Sequence, residues 1–179
     1  MEEKEWLILN YTIPKEPSRI RVSVWRKLKK CGSVIIGQSM WMLPLSNEHI
    51  DIFTEISNEI LQNNGDAYIL KGVLVSDNGS DNIVELFNKA RDEEYKELLD
   101  KCEDFFREIE KETEKENFSF VEVEENEDEY NKLIEWHKKI AKRDFFNASL
   151  KTVSAQELEK CKQILDDFSN QVYELNNEN

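Results

Sequence analysis

Apolar and polar positions along the chain follow several different periods, and each period predicts an element. From Trp6 to Pro14 the run "WLILNYTIP" is apolar, β-favouring and stopped by proline, which predicts a first strand. Pro17 and Ser18 supply a helix start. Ile20, Val24 and Leu28 then recur every fourth residue, with Trp25 beside them, predicting an amphipathic helix that Cys31-Gly32 ends. The stretch "SVIIGQSMWMLPL" holds two short apolar runs about Gly37-Gln38-Ser39 and reads as a hairpin ended by Pro44. Ser46 is placed to cap a second helix whose inner face is Phe53, Ile56 and Ile60, before Asn63-Asn64-Gly65 closes it. "DAYILKGVLV" predicts a fourth strand.

The order over residues 5–76 is therefore βαββαβ, the split βαβ pattern of a ferredoxin-like domain, in which two helices cover one face of a four-stranded antiparallel sheet. "SDNGSD" at 76–81 marks a boundary. Beyond it, over 80–177, the pattern becomes helical, giving an α+β chain with three further amphipathic helices. Ile83, Leu86, Ala90, Leu98, Cys102, Phe105 and Ile109 form the apolar seam of a long helix over 82–117. "FSFVEVEE" partly alternates and reads as a short extended link. Tyr130, Leu133, His137 and Ile140 share one side of a helix over 127–142. Ser154 and Glu157 have capping-box spacing, ahead of Leu158, Cys161, Leu165, Phe168, Val172 and Leu175 in a last helix.

Composition narrows the function. Apolar residues make up 39% of the 179, enough for a core, and 35% are charged, so the surface is heavily solvated. No apolar run is long enough to span a bilayer, and the first residues lack the basic region and cleavage site of a signal peptide, so a soluble cytoplasmic protein is expected. Cys31, Cys102 and Cys161 are odd in number and far apart, which fits reduced thiols and gives no metal or redox motif. Five glycines, none close together, rule out a glycine-rich phosphate loop. His49 and His137 belong to no ligand pattern, so neither a metal nor a cofactor is expected, nor an enzyme.

Charge changes the picture most. The chain carries -14, yet residues 15–30, "KEPSRIRVSVWRKLKK", carry +6 from Lys15, Arg19, Arg21, Arg26, Lys27, Lys29 and Lys30 against Glu16. With Ile20, Val24 and Leu28 turned inward, Arg19, Arg26 and Lys30 fall along one outward side. That side is either a solvated face paired with acidic residues of the same chain or a surface for backbone phosphates. A smaller cluster, Lys139, Lys142 and Arg143 in "KKIAKRDFFNA", is either the basic end of a helix meeting the helix dipole or an anion site.

The stretch "WLILNYTIPKEPSRIRVSVWRKLKKCGSVIIGQSMWMLP", followed by "ARDEEYKELLDKCEDFFREIEKE", "FSFVEVEENEDEY" and "RDFFNA", resembles the N-terminal domain of the chromate resistance protein family, the ChrB-like regulators of chromate efflux operons. The resemblance implies a chromate-responsive transcriptional regulator whose basic N-terminal region contacts DNA. Full-length members carry a second, C-terminal domain, so a partner protein that supplies that domain is expected; separately, the open edges of a small ferredoxin-like sheet favour a homo-oligomer, and chromate or another oxyanion is the ligand expected if Lys139, Lys142 and Arg143 form an anion site. The βαββαβ half is similar to the Cas2-like module of CRISPR nucleases and phenylacetate-type repressors. Where those nucleases carry a metal-binding aspartate after the tyrosine of the first strand, this chain has Thr12, and a hydroxyl does not replace a carboxylate in holding a hard divalent cation.

Overall fold

A computed structural model describes residues 4–75 and 79–177. Four strands and five helices run in the order β1 (Glu5–Thr12), α1 (Ser18–Lys30), β2 (Val34–Ile36), β3 (Met40–Pro44), α2 (Asn47–Gln62), β4 (Asp66–Val73), α3 (Gly79–Glu114), α4 (Phe120–Lys142) and α5 (Lys151–Asn177). The protein is α+β, and all four strands join one antiparallel sheet in the spatial order β2-β3-β1-β4. By internal contacts the chain forms two units, Met1–Ala90 and Arg91–Asn179, so the division falls within α3. Ser76, at the end of the sheet domain expected from sequence, lies outside the described residues, as do the two residues after it in the boundary tract.

In the first unit β1 is an inner strand between β3 and β4, with Leu7 and Leu9 buried on one pleat and Trp6 on the other, where Ile8 is half-buried. Leu7 and Leu9 lie opposite Leu43 and Trp41 of β3, and all four are buried. They share the face on which α1 and α2 bury Val24 and Leu28, and Phe53, Ile56 and Ile60. Trp6, on the opposite pleat, stacks on Phe87 of α3, with ring centroids 5.9 Å apart and planes 14° from parallel. Gly37 turns the β2–β3 hairpin at φ 63°, a conformation that costs glycine little. Ser46 caps α2 by accepting the His49 amide, 3.1 Å away. The His49 ring is buried and its Nδ1 hydrogen-bonds the Pro44 carbonyl. Trp25, placed by the sequence beside the buried stripe of α1, is instead 51% exposed.

In the second unit, Tyr95, Leu98, Cys102, Phe105 and Ile109 of α3 pack with Leu133 and Ile140 of α4 and with Leu158, Cys161, Leu165, Phe168 and Val172 of α5 in one core. Each of the three helices differs in a bound from the sequence expectation. The expected extended link is helical from Phe120, because the Ser119 hydroxyl accepts the Glu122 amide at 3.3 Å and caps α4. The last helix starts at Lys151, ahead of the Ser154 capping box. The turn that leads into it is tied to α3, since Asp92 accepts Leu150 N–H at 2.8 Å and the Ser149 hydroxyl at 2.8 Å, and the Lys151 amide bonds the Ala148 carbonyl. Ser154 then sits inside the helix, bonded back to the Lys151 carbonyl. Helix α3 ends at Glu114, earlier than expected, with Glu116 at φ 56° and the Asn117 amide returned to the Glu112 carbonyl.

Candidate functional site

The sequence folds α1 so that its charge faces outward. Val24 and Leu28 are buried and Ile20 is half-buried, while Arg19, Arg21, Arg26, Lys29 and Lys30 are exposed, as is Lys15 in the loop before the helix. The three lysines of the last turn, Lys27, Lys29 and Lys30, also meet the negative end of the helix dipole.

Lys27 differs from the others in being paired within the chain. Its Nζ lies 2.9 Å from Glu55 and 3.0 Å from Glu59 of α2, and Ser23 donates to Glu59 at 2.7 Å. Hydrogen bonds to Glu55 and Glu59 raise the lysine pKa. Burial alone would raise that of Glu59, but the bonds from Ser23 and Lys27 outweigh it and hold the carboxyl below its usual value. Among the described residues, no carboxylate lies within ion-pairing distance of Arg19, Arg21, Arg26, Lys29 or Lys30. Lys29 instead stands 6.0 Å from the centre of the exposed Trp25 ring. Beside them an open cleft of about 500 Å³ is lined by Tyr11, Ile13, Ser18, Arg21, Val22 and Trp25. The structure thus leaves six of the seven predicted basic residues exposed and pairs Lys27 within the chain.

The second predicted cluster is rearranged. Lys139 and Lys142 are exposed in the last turn of α4, whereas Arg143, its C-cap residue, turns to α3. There its Nη2 bonds Glu94, whose other oxygen accepts Arg91 Nη2 at 3.0 Å. One carboxylate therefore holds two guanidinium groups side by side. Arg91 is only 3% exposed, and its Nε and Nη1, like Arg143 Nε and His137 Nε2, are buried without a hydrogen-bond partner. A buried donor left in that condition costs on the order of 1–3 kcal/mol. Adjacent Asp144 is also buried and accepts from Tyr95 Oη at 3.2 Å and Ala148 N–H at 3.0 Å, with Lys151 Nζ at 3.6 Å. Burial and the Asp144 charge push the Tyr95 phenol far up. Burial lowers the pKa of His137, whose ring centroid is 5.8 Å from that of Tyr95. It also lowers that of Arg91.

The remaining chemistry is sparse. Cys102 and Cys161 are fully buried and share a hydrogen bond that, with burial, holds Cys161 as a thiol. Cys31 donates to the Leu28 carbonyl. Thr12 hydrogen-bonds Asp66 at 3.4 Å. No group of three or more metal-ligating side chains occurs among the described residues, and no described helix is long and apolar enough to cross a membrane.

A family model described as Protein ChrB, N-terminal, matches residues 21–179. The chain belongs to this family. No curated protein and no solved structure matches it. The match to the ChrB N-terminal family takes in Arg21, Arg26, Lys27, Lys29 and Lys30 of α1 and the whole Arg91–Arg143 cluster; Lys15 and Arg19 precede it.

Arg91, Glu94, Tyr95 and Asp144 were not among the residues the sequence pointed to. One signal for them exists: Arg91 falls in phase with the seam of α3, four residues from both buried Phe87 and buried Tyr95. A charged residue on an apolar stripe marks a polar site in the core.

Proposed function

We propose that this member of the ChrB N-terminal family is a non-enzymatic regulator of chromate resistance that binds DNA through α1. In this reading the sheet unit is a ferredoxin-like domain, supported by its βαββαβ order and the antiparallel strand order β2-β3-β1-β4. One observation carries the proposal. Among the described residues the exposed cations of α1 lack acidic partners, although the protein as a whole is strongly acidic. Were the basic segment a self-neutralised face, its arginines would be the first groups to pair with so many carboxylates. Among the described residues, Lys27 is the one cation of α1 that pairs in that way.

Arg19, Arg21, Arg26 and Lys30 would neutralise phosphates, with Lys15 and Lys29 flanking them, and each neutralised phosphate releases condensed counterions. Trp25, exposed between Arg21 and Lys29, offers an aromatic surface at the rim of the same cleft. The deciding experiment is a mobility shift on the DNA upstream of the chain's own operon. The wild-type protein should retard it, and Arg19→Ala combined with Arg26→Ala should weaken binding at least tenfold at moderate salt. Retardation unaffected by the double substitution would refute the assignment to α1.

A further inference from the structure

The cleft beside α1 offers a chemistry that phosphate contact alone does not use. At about 100° per residue, Ser18, Arg21, Val22, Trp25 and Lys29 share one side of the helix, apart from the side that carries Arg19, Arg26 and Lys30. Two large apolar side chains stand on it in solvent, Val22 at 43% exposure and Trp25 at 51%. Trp6 and Trp41 are buried and Trp136 is half-buried, so of the four tryptophans Trp25 is the one with an open ring face. The sheet supplies the other wall of the cleft through Tyr11 and Ile13, both half-buried. Tyr11 lies on the pleat of Leu7 and Leu9, but the β1–β3 ladder stops at Asn10 and Met40, and past that point β4 alone continues beside β1. The end of the sheet therefore leaves the tyrosine partly open. None of the residues lining the cleft is acidic, Arg21 brings a cation into it, and Lys29 stands 6.0 Å from the centre of the Trp25 ring.

An exposed apolar patch rimmed by charge marks an interaction site, and here the combination selects the occupant. It calls for a flat π-face to lie on Trp25, a size that fits about 500 Å³, and negative charge for Arg21 and Lys29. A base of a nucleic-acid strand with its phosphates has all three, provided the base is unpaired, since a base inside a duplex keeps its faces in the stack. An uncharged apolar peptide would leave the cations unused. We infer that the cleft takes an unpaired base of a single DNA strand, stacked on Trp25, with the adjoining phosphates on Arg21 and Lys29. The inference rests on the nucleic-acid reading of α1 for its class of ligand, but it assigns a different side of the helix from Arg19 and Arg26.

Fluorescence anisotropy on the full chain with an end-labelled oligothymidylate of about 15 nucleotides tests it, with duplex DNA from the operon's upstream region titrated in parallel. Trp25→Ala should weaken oligothymidylate binding about tenfold, the scale of stacking one base on one aromatic ring, and Trp25→Phe should keep most of the affinity. Because Trp25→Ala removes no charge, its salt slope should equal that of the wild type, whereas Arg21→Ala should reduce the slope by about 0.7. Trp25 is exposed, so these variants should fold, which circular dichroism checks. Oligothymidylate binding that is absent at low salt would point to a protein segment as the occupant and overturn the inference, as would binding unchanged in Trp25→Ala. Duplex binding that depends on Arg19 and Arg26 would in either case leave the proposed function standing. Conversely, oligothymidylate binding lost in Trp25→Ala, with the duplex unbound, would support the base site and refute duplex contact.

Discussion

Whether a charged side chain of this protein serves the fold or faces outward is decided by the partners within its reach. Lys27 and Arg26 are neighbours on one helix, yet Lys27 is held between Glu55 and Glu59 while Arg26 projects into solvent. For Glu59 this has a consequence in pH. Its carboxyl titrates below its usual value in the folded chain, so the stability it contributes is present above the unfolded-state value near pH 4.3 and is lost as pH falls through the folded one. Glu59→Gln should therefore be less stable than the wild type by about 1 kcal/mol at pH 7. That difference should shrink toward zero below about pH 4, as urea unfolding at a series of pH values would show. A difference that stayed constant with pH would mean that packing, not charge, holds Glu59.

Elements were legible in the sequence wherever the apolar period and a stop signal agreed. All four strands and both helices of the first unit follow this rule, and Gly65 illustrates its physical content. A Cβ at this position would come within 2.5 Å of the Thr12 carbonyl and 2.7 Å of Ile60 Cγ2. Gly65→Ala should then cost about 1–3 kcal/mol, whereas Gly72→Ala, with nothing within 4 Å, should change unfolding midpoints little. In the second unit the helix starts were harder to read. The "FSFVEVEE" run looked extended because its apolar residues partly alternate, but Ser119 and Glu122 are a helix start of their own, and Ser119→Ala should cost about 1 kcal/mol in thermal or chemical unfolding. The start of α5 could not be read locally, since the turn before it, Ser149 and Leu150, is held by Asp92 of α3. The same limit applies to the candidate sites. The outward basic face of α1 follows from spacing along one helix, whereas the Arg91–Arg143 cluster joins two helices through Glu94 and is visible only once the chain has folded.

At the scale of the whole molecule, charge is distributed so as to restrict where a polyanion can settle. The +6 of residues 15–30 sits in a chain whose other residues sum to -20. Phosphates would be repelled from the acidic remainder and attracted to the exposed side of α1, so the field itself narrows contact to one face. Membership of the ChrB N-terminal family connects the chain to chromate resistance, and DNA binding through α1 is our proposal, resting on cations that have no acidic partner among the described residues. The most direct test is the salt dependence of binding, measured by fluorescence anisotropy on duplex DNA from the operon's upstream region. For the wild type, the logarithm of affinity should fall linearly with the logarithm of salt concentration. Arg19→Ala combined with Arg26→Ala should reduce that slope by about 1.8, the share of two phosphate contacts at roughly 0.9 each. An unchanged slope, or an acidic protein that fails to bind DNA even at low salt, would contradict the account.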